Sequence, residues 1–296
     1  MDALETDRPN EGAGRTATRQ DRRIGSILAQ SGKLSGADIR RVLELQQVEG
    51  SRFGEAALRL GLISTDDLLT AIAKQYDLPY LLPDCERLSG ELVVAREPFH
   101  RCAEEMRALR TQLQIRWSAG ATQRRMLAIV SPGPREGRTY VAANLAVAFS
   151  QLGERTLLID ADLRRPRQHR IFDVADRMGL SAVLSGRGDH TALVQIPRFG
   201  NLWLLPGGAR PPNPMELLSR DALGSLLDQL QSKFDVVLFD TPPAKLCADA
   251  KSVAFRAGNA LVLTRKGHTR LSDTTSLIGE LGEMGARTVG TLLNAF

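Results

Sequence analysis

MLAIVSPGPREGRTYVAANLA, residues 126–146, decides the fold. The apolar run MLAIV reads as a strand, and the stretch over Thr139–Leu152 carries the apolar spacing of a helix. Between them SPGPREGRTY, Ser131–Tyr140, supplies the turn residues of a loop. A strand, a glycine-containing loop and a helix N-terminus in that order suit a phosphate. Gly137 and the turn before it let backbone N–H groups point at anionic oxygens, and the helix start reinforces them. Thr139 is placed to offer its hydroxyl to Mg²⁺. Against the pattern GxxxxGK[ST], Pro132 stands for the first Gly and Arg138 for the Lys. The candidate phosphate-site residues are Gly133, Glu136, Gly137, Arg138, Thr139 and Tyr140.

Two further segments strengthen this reading. LLIDADLRRP puts Asp160 and Asp162 at the C-terminal end of the next strand, and FDVVLFDTPP puts Asp240 at the end of a later one. Ligands of open α/β sheets bind beyond the carboxyl ends of the strands, so the three carboxylates are expected to converge on the loop. One of them would contact Mg²⁺ directly or through water, and another would accept a proton from an attacking hydroxyl. For a single Asp at a strand end, helix capping explains the residue equally well; three in this order favour a site.

From Arg125 onward, short apolar strands alternate with helices. MLAIVS, TLLID, LWLLP, FDVVLFD, ALVLT and TVGTLLN read as strands. Helices are expected over Thr139–Leu152, near Leu180, over Met215–Gln231, near Lys251 and over Ser272–Met284. That pattern predicts an α/β fold: a doubly wound, mostly parallel sheet with helices on both faces. EEMRALRTQLQIRW, Glu104–Trp117, reads as an amphipathic helix before the first strand.

Upstream lies an internal repeat. RIGSILAQSGKLSGADIRRVLELQ (Arg23–Gln46) and RFGEAALRLGLISTDDLLTAIAKQ (Arg52–Gln75) are separated by QVEGS. Both copies carry Arg first, Gly third and tenth, and Gln last. Each reads as a short helix ending near the second Gly, then a helix capped by Ser35 or Ser64. The expected domains are a disordered tail over 1–21, a helical repeat domain over 22–80, a linker over 81–97 and the P-loop domain over 98–296.

The totals exclude several classes. No apolar run approaches the ~18–20 residues that span a bilayer. The polar N-terminus lacks a signal-peptide stretch, so the chain is expected to be cytoplasmic. Cys85, Cys102 and Cys247 form no CxxC pair, and His100, His169, His190 and His268 show no metal spacing. The net charge of +5 rests on 33 Arg spread along the chain, which explains it without a nucleic-acid patch, and no nucleic-acid partner is expected.

These motifs resemble those of bacterial tyrosine kinases, relatives of the MinD/ParA ATPases. SPGPREGRTYVAANLA is similar to their Walker A loop and helix, LLIDADLRRPRQHRIF to their second Asp motif, and VVLFDTPP to their Walker B strand. RPPNPMELL (Arg210–Leu218) resembles their PPNPxELL segment, and Asn294 matches their adenine-contacting Asn. Glu104, Arg107 and Arg110 form an E-x-x-R-x-x-R, similar to the motif through which such kinases pack into rings. The resemblance covers about residues 98–296 and is nearest the EpsG-type chain-length-determinant kinases. It implies ATP and Mg as cofactors, with Thr139, Asp162 and Asp240 on the metal and Arg138, Asp160, Asp162 and Asp240 as catalytic candidates. It also implies control of exopolysaccharide chain length and export beside a membrane-embedded chain-length determinant protein, which holds the chain at the inner membrane.

The repeat resembles the N-terminal domain of type II secretion and pilus ATPases, one branch of which binds cyclic di-GMP. Arg23 and Arg52 would engage guanine, Gln46 and Gln75 would offer amides, and Gly25 and Gly54 would admit the ligand's approach. Ala57 departs from the Leu expected there. The competing reading is a helical docking module whose glycines serve only turns. Two departures bear on catalysis. Arg138 is bulkier than Lys and presents a rigid fork. The only tyrosines are Tyr76, Tyr80 and Tyr140, so a phosphorylated tyrosine is expected on another protein. The rival to a kinase is a non-catalytic scaffold that responds to nucleotide and cyclic di-GMP; a partition-type ATPase ranks third.

Overall fold

The computed structural model describes residues 23–76, 88–118, 125–176 and 178–295; the expected disordered tail lies outside them. The chain divides into two compact units, one ending at Leu78 and the other starting at Pro79.

In the first unit, each repeat copy folds as two helices. The first copy makes α1 (Ile24–Gln30) and α2 (Gly36–Glu49), the second α3 (Phe53–Arg59) and α4 (Thr65–Gln75). The tenth-position glycines, Gly32 and Gly61, follow α1 and α3 at φ +71° and +65°, a region costly for a residue with a Cβ. Ser35 and Ser64 then cap α2 and α4 in reciprocal bonds with Asp38 and Asp67. Lys33 and Ser64 together hold the Asp67 carboxyl down at about 2. Neither copy buries its apolar face alone. Ile27, Leu28, Leu34 and Val42 of one copy share a core with Ala56, Ala57, Ile63 and Ala71 of the other. The third-position glycines make room for it. A Cβ on Gly25 would sit 3.0 Å from Phe53, and one on Gly54 2.5 Å from Leu68.

The second unit begins with α5 (Val93–Arg96) and α6 (Arg101–Ser118), then enters the alternating part. In chain order this comprises β1 (Met126–Val130), α7 (Arg138–Ser150), β2 (Thr156–Asp160), α8 (Gln168–Ile171), α9 (Leu180–Leu184), β3 (Val194–Gln195), β4 (Leu202–Leu205), α10 (Pro214–Ser219), α11 (Asp221–Gln231), β5 (Val236–Asp240), α12 (Asp249–Ala257), β6 (Asn259–Arg265), α13 (Leu271–Glu283) and β7 (Arg287–Asn294). The seven strands run β3-β4-β2-β5-β1-β6-β7. All neighbours are parallel except β3 and β4. Successive strand residues turn to opposite faces. Leu127, Ile129, Leu158 and Leu238 meet α5, α6 and α7, while Ala128, Ile159, Val237 and Phe239 meet α9 to α13. This is the doubly wound α/β architecture. Its central strands are buried at every position, which is why they read as unbroken apolar runs.

Three expectations need correction. Residues 88–97, within the expected linker, are part of the larger unit's core. Leu88 and Leu92 to Ala95 are buried there, and Val94 N–H donates to Asn144 at 3.0 Å; the segment is too short to show a period. The helix expected over Met215–Gln231 breaks at Arg220, whose extended backbone (ψ 156°) separates α10 from α11. The two-residue edge strand β3 carried no alternation to detect.

Gly54→Ala should cost about 1–3 kcal/mol, because the added methyl must displace Leu68. Gly36→Ala, with open space around it at the start of α2, should be neutral or stabilising. Denaturant midpoints of the two variants check the contrast; equal midpoints would contradict it.

Candidate nucleotide site

Loop 131–137 crosses the carboxyl edge of the sheet between β1 and α7. Gly137 is the N-cap of α7 at φ +96°, so the turn itself requires this glycine. Arg135 also sits left-handed, at φ +58°, a conformation that costs about 1–3 kcal/mol unless its surroundings hold it. They do. Gly133 N–H donates to the Glu136 carboxylate at 2.8 Å, and the Thr269 hydroxyl donates to the other carboxylate oxygen. Asn294 Nδ2 donates to the Glu136 carbonyl at 3.2 Å, and Arg265 Nη1 to the Arg135 carbonyl at 3.3 Å. Glu136 is buried. Gly133 and Glu136, read from the sequence as phosphate contacts, instead brace each other inside the loop.

Arg138, the first residue of α7, is also mostly buried. Its Nε donates to the Thr241 carbonyl at 2.7 Å, and its Nη1 donates to the Gly133 carbonyl at 2.7 Å and to Ser131 Oγ. The guanidinium fork reaches all three acceptors from two of its nitrogens. Burial lowers its pKa, opposed by the charges of Asp240, Asp162 and Glu136. Nη2 is the one nitrogen with no hydrogen bond to the described residues.

The three candidate carboxylates do not share one role. Asp160 and Asp240 are register partners at the ends of β2 and β5, and both are buried. Asp160 accepts backbone N–H groups of Asp162 (3.3 Å), Arg167 (2.8 Å) and Gln168 (2.9 Å), which fixes the 162–168 loop. Burial, then the nearby Asp240 charge, pushes its pKa well above the usual carboxylate range. This is a bracing role; the sequence left open which carboxylate serves Mg²⁺ and which accepts a proton. Burial also raises Asp240, to about 6, against the pull of Arg138, Thr139 and Gln168. Asp162 caps the turn after it, its Oδ1 accepting from Arg164 and Arg165 backbone N–H at 3.2 and 2.9 Å. Arg164 reaches across to the buried Asp249, with both bonds near 3 Å.

These elements open on a cavity of about 1450 Å³, lined by Gly137, Arg138, Thr139, Tyr140, Asp162 and Asn294 together with one side of α6. Asp160 and Asp240 are buried and do not line it. The fit to Mg²⁺ is tested by Asp240 Oδ1, a buried carboxylate oxygen with no hydrogen-bond partner among the described residues. Beside the Thr139 hydroxyl and Asp162, an all-oxygen set with one orphaned anionic atom suits a hard cation. Desolvation pushes the pKa of the half-buried Tyr140 hydroxyl up to about 12. Residues missed by sequence reading include Gln168, whose Nε2 donates to both Asp240 and the Thr139 carbonyl. No pattern of spacing marks such a glutamine.

The remaining candidates are not at this site. Arg107 donates to Glu104 and the Pro98 carbonyl, and Arg110 to the Ala148 carbonyl at 3.1 Å. Both arginines therefore hold α6 to their own chain, while Glu104 is exposed. In the first unit, Arg23 and Arg52 are exposed at the equivalent starts of α1 and α3. Gln46 donates to the Ser51 carbonyl at 3.0 Å. Gln75 ends α4 half-buried, and Gly25 and Gly54 are accounted for by packing.

The family described as "Cellulose biosynthesis protein BcsQ" matches residues 126–275. The tyrosine-protein kinase YwqD of Bacillus subtilis (strain 168) is 32% identical over 208 residues, covering 70% of this chain and 87% of the kinase. The longer tyrosine-protein kinase wzc of Salmonella typhimurium matches at 33% identity over 206 residues, 70% of this chain but 28% of the kinase. Among solved structures, the kinase domain of Escherichia coli tyrosine kinase ETK superposes with TM-score 0.66 at 31% identity, over 71% of this chain and 81% of that one. The septum site-determining protein MinD of Pyrococcus horikoshii OT3, solved with Mg-ADP, gives TM-score 0.51 at 29% identity, over 57% and 70%. Among the described residues, no helix is long and apolar enough to cross a membrane.

A raised carboxyl pKa means the folded state holds its proton more tightly than the unfolded chain. The penalty for ionising Asp240 is absent below about pH 4 and complete above about pH 6. The stability of Asp240→Asn relative to the native protein should therefore improve as the pH rises from 4 to 7. Denaturant unfolding across that range checks it; a pH-independent difference would contradict it.

Proposed function

We propose that this chain, which belongs to the family of bacterial tyrosine kinases built on a BcsQ- and MinD-like P-loop domain, is an ATP-dependent protein-tyrosine kinase and ATPase. The observation that carries the reading is the single cavity shared by the helix start Gly137–Tyr140, Asp162 and Asn294. Backbone N–H groups at the start of α7 and Arg138 Nη2 would hold the phosphates, and Asn294 the adenine. Thr139, Asp162 and, through water, Asp240 would hold Mg²⁺, which when bound neutralises charge on the phosphates. Asp162 is the carboxylate of the three that lines the cavity, so it would accept the tyrosine proton as the phenolic oxygen attacks the γ-phosphorus and ADP leaves. Asp160 would act indirectly, by keeping the Asp162 loop in place.

The BcsQ description and the EpsG-type motifs support a role in exopolysaccharide chain length and export. The substrate tyrosine would lie on another protein, and a membrane chain-length determinant would hold this chain at the inner membrane from the cytoplasmic side. Ring assembly through α6 would use Glu104, the exposed member of its motif, with Arg107 and Arg110 shaping the helix. Cyclic di-GMP binding to the repeat rests on the matched, exposed Arg23 and Arg52, with Gln46, Gln75, Gly25 and Gly54 around them. Packing at both glycines favours the docking alternative. A non-catalytic scaffold is favoured by one observation, the engagement of Arg138 with the carbonyls of Gly133 and Thr241.

Phosphate release from Mg-ATP tests this directly. The native protein should turn over, Asp162→Ala should lose on the order of 100-fold or more, and cyclic di-GMP should alter the native rate. Nucleotide binding with no turnover, even with the membrane partner's soluble segment present, would establish the scaffold instead.

A further inference from the structure

Gln168 is fully buried in the first turn of the four-residue α8. Its backbone N–H donates to Asp160 Oδ2 at 2.9 Å. Its side-chain Nε2 donates to the Thr139 carbonyl at 3.0 Å and to Asp240 Oδ2 at 2.9 Å. Both side-chain partners are acceptors, so the amide orientation is fixed: the reverse orientation would set a carbonyl against two oxygens. The consequence is that Gln168 Oε1 is buried with no donor. On the other side of the same hydrogen bond, Asp240 Oδ1 is buried with no donor either. Two orphaned acceptors on one bonded pair of side chains are costly in a closed interior. They call for a donor that the described residues do not supply, and cation-bound water is a strong one.

We propose that Gln168 is a positioning residue of the metal–nucleotide site. Its Nε2 fixes Asp240 against the start of α7, and its Oε1, together with Asp240 Oδ1, accepts hydrogen bonds from water on the bound Mg²⁺. The proposal rests on the nucleotide reading above and extends it to a residue that touches neither nucleotide nor metal. It also gives Asp160 its reach: through the Gln168 backbone, the carboxylate that braces the 162–168 loop sets the amide that holds Asp240. Partners of this outer kind typically change metal affinity by about 10–100-fold when removed.

The test is calorimetric titration of the full chain with ADP, with Mg²⁺ and again with EDTA. Gln168→Met keeps length and volume but removes the donor and the acceptor. The variant should bind ADP in EDTA within about twofold of the native protein, while the tightening due to Mg²⁺ falls about tenfold or more. A parallel loss in both conditions would make Gln168 a packing residue only, and unchanged Mg²⁺ tightening would assign the orphaned oxygens to ordinary buried water; either overturns the proposal. If the Met variant does not fold, Gln168→Asn, which keeps the amide but withdraws it by one methylene, carries the same two readouts. Native protein whose ADP affinity ignores Mg²⁺ would overturn the nucleotide–metal reading itself, an outcome distinct from the other two.

Discussion

Two carboxylates buried side by side constrain everything around them. Asp160 and Asp240 end adjacent strands in register, both shut off from solvent. Burying even one charge without a partner is costly, and a second like charge beside it raises the cost. The structure answers with three backbone N–H groups on Asp160, the Gln168 amide on Asp240, and the Arg138 guanidinium close enough to favour the ionised form of Asp240. The arrangement still leaves one oxygen of Asp240 without a partner among the described residues. A purely structural pair has no use for that incompleteness; a cation site does.

The same constraint explains the loop. An arginine at position 138 spans the carbonyls of Thr241 and Gly133, tying the exit of β5 to the exit of β1. Glu136 then locks the loop from the other side through Gly133, Thr269 and, at its carbonyl, Asn294. The loop is therefore organised by its own side chains, with only the amides near the start of α7 and one guanidinium nitrogen left for an anion. A degenerate sequence pattern here corresponds to a loop whose shape is set before any ligand binds.

Much of this was legible from sequence. MLAIV, TLLID and VVLFD read as buried strands because a parallel sheet covered on both faces admits only apolar residues. The glycines and serines of the repeat announced its helix ends because their roles are local, set by φ and by hydrogen bonds three residues away. What stayed hidden depends on distant partners. The division of labour between Asp160 and Asp162, two residues apart, follows from where the strand ends: Asp160 closes β2 and is buried, whereas Asp162 lies beyond it and is partly exposed. Gln168 gained its role only by lying across from Thr139 and Asp240, 29 and 72 residues away. Residues 88–97 looked like a linker because a four-residue helix shows no period, although its apolar side chains fill the core.

The most direct test of the central claim is the melting temperature of the native protein with Mg²⁺ alone, with ADP in EDTA, and with Mg-ADP. At a ligand concentration ~100 times its dissociation constant, binding to the folded state stabilises by about 2.7 kcal/mol, roughly 5–10 °C for a unit of this size. If the buried acid pair is one half of a metal–nucleotide site, Mg-ADP should give that shift and either component alone much less. Equal shifts with and without Mg²⁺ would show that the pair is complete within the fold and contradict the account.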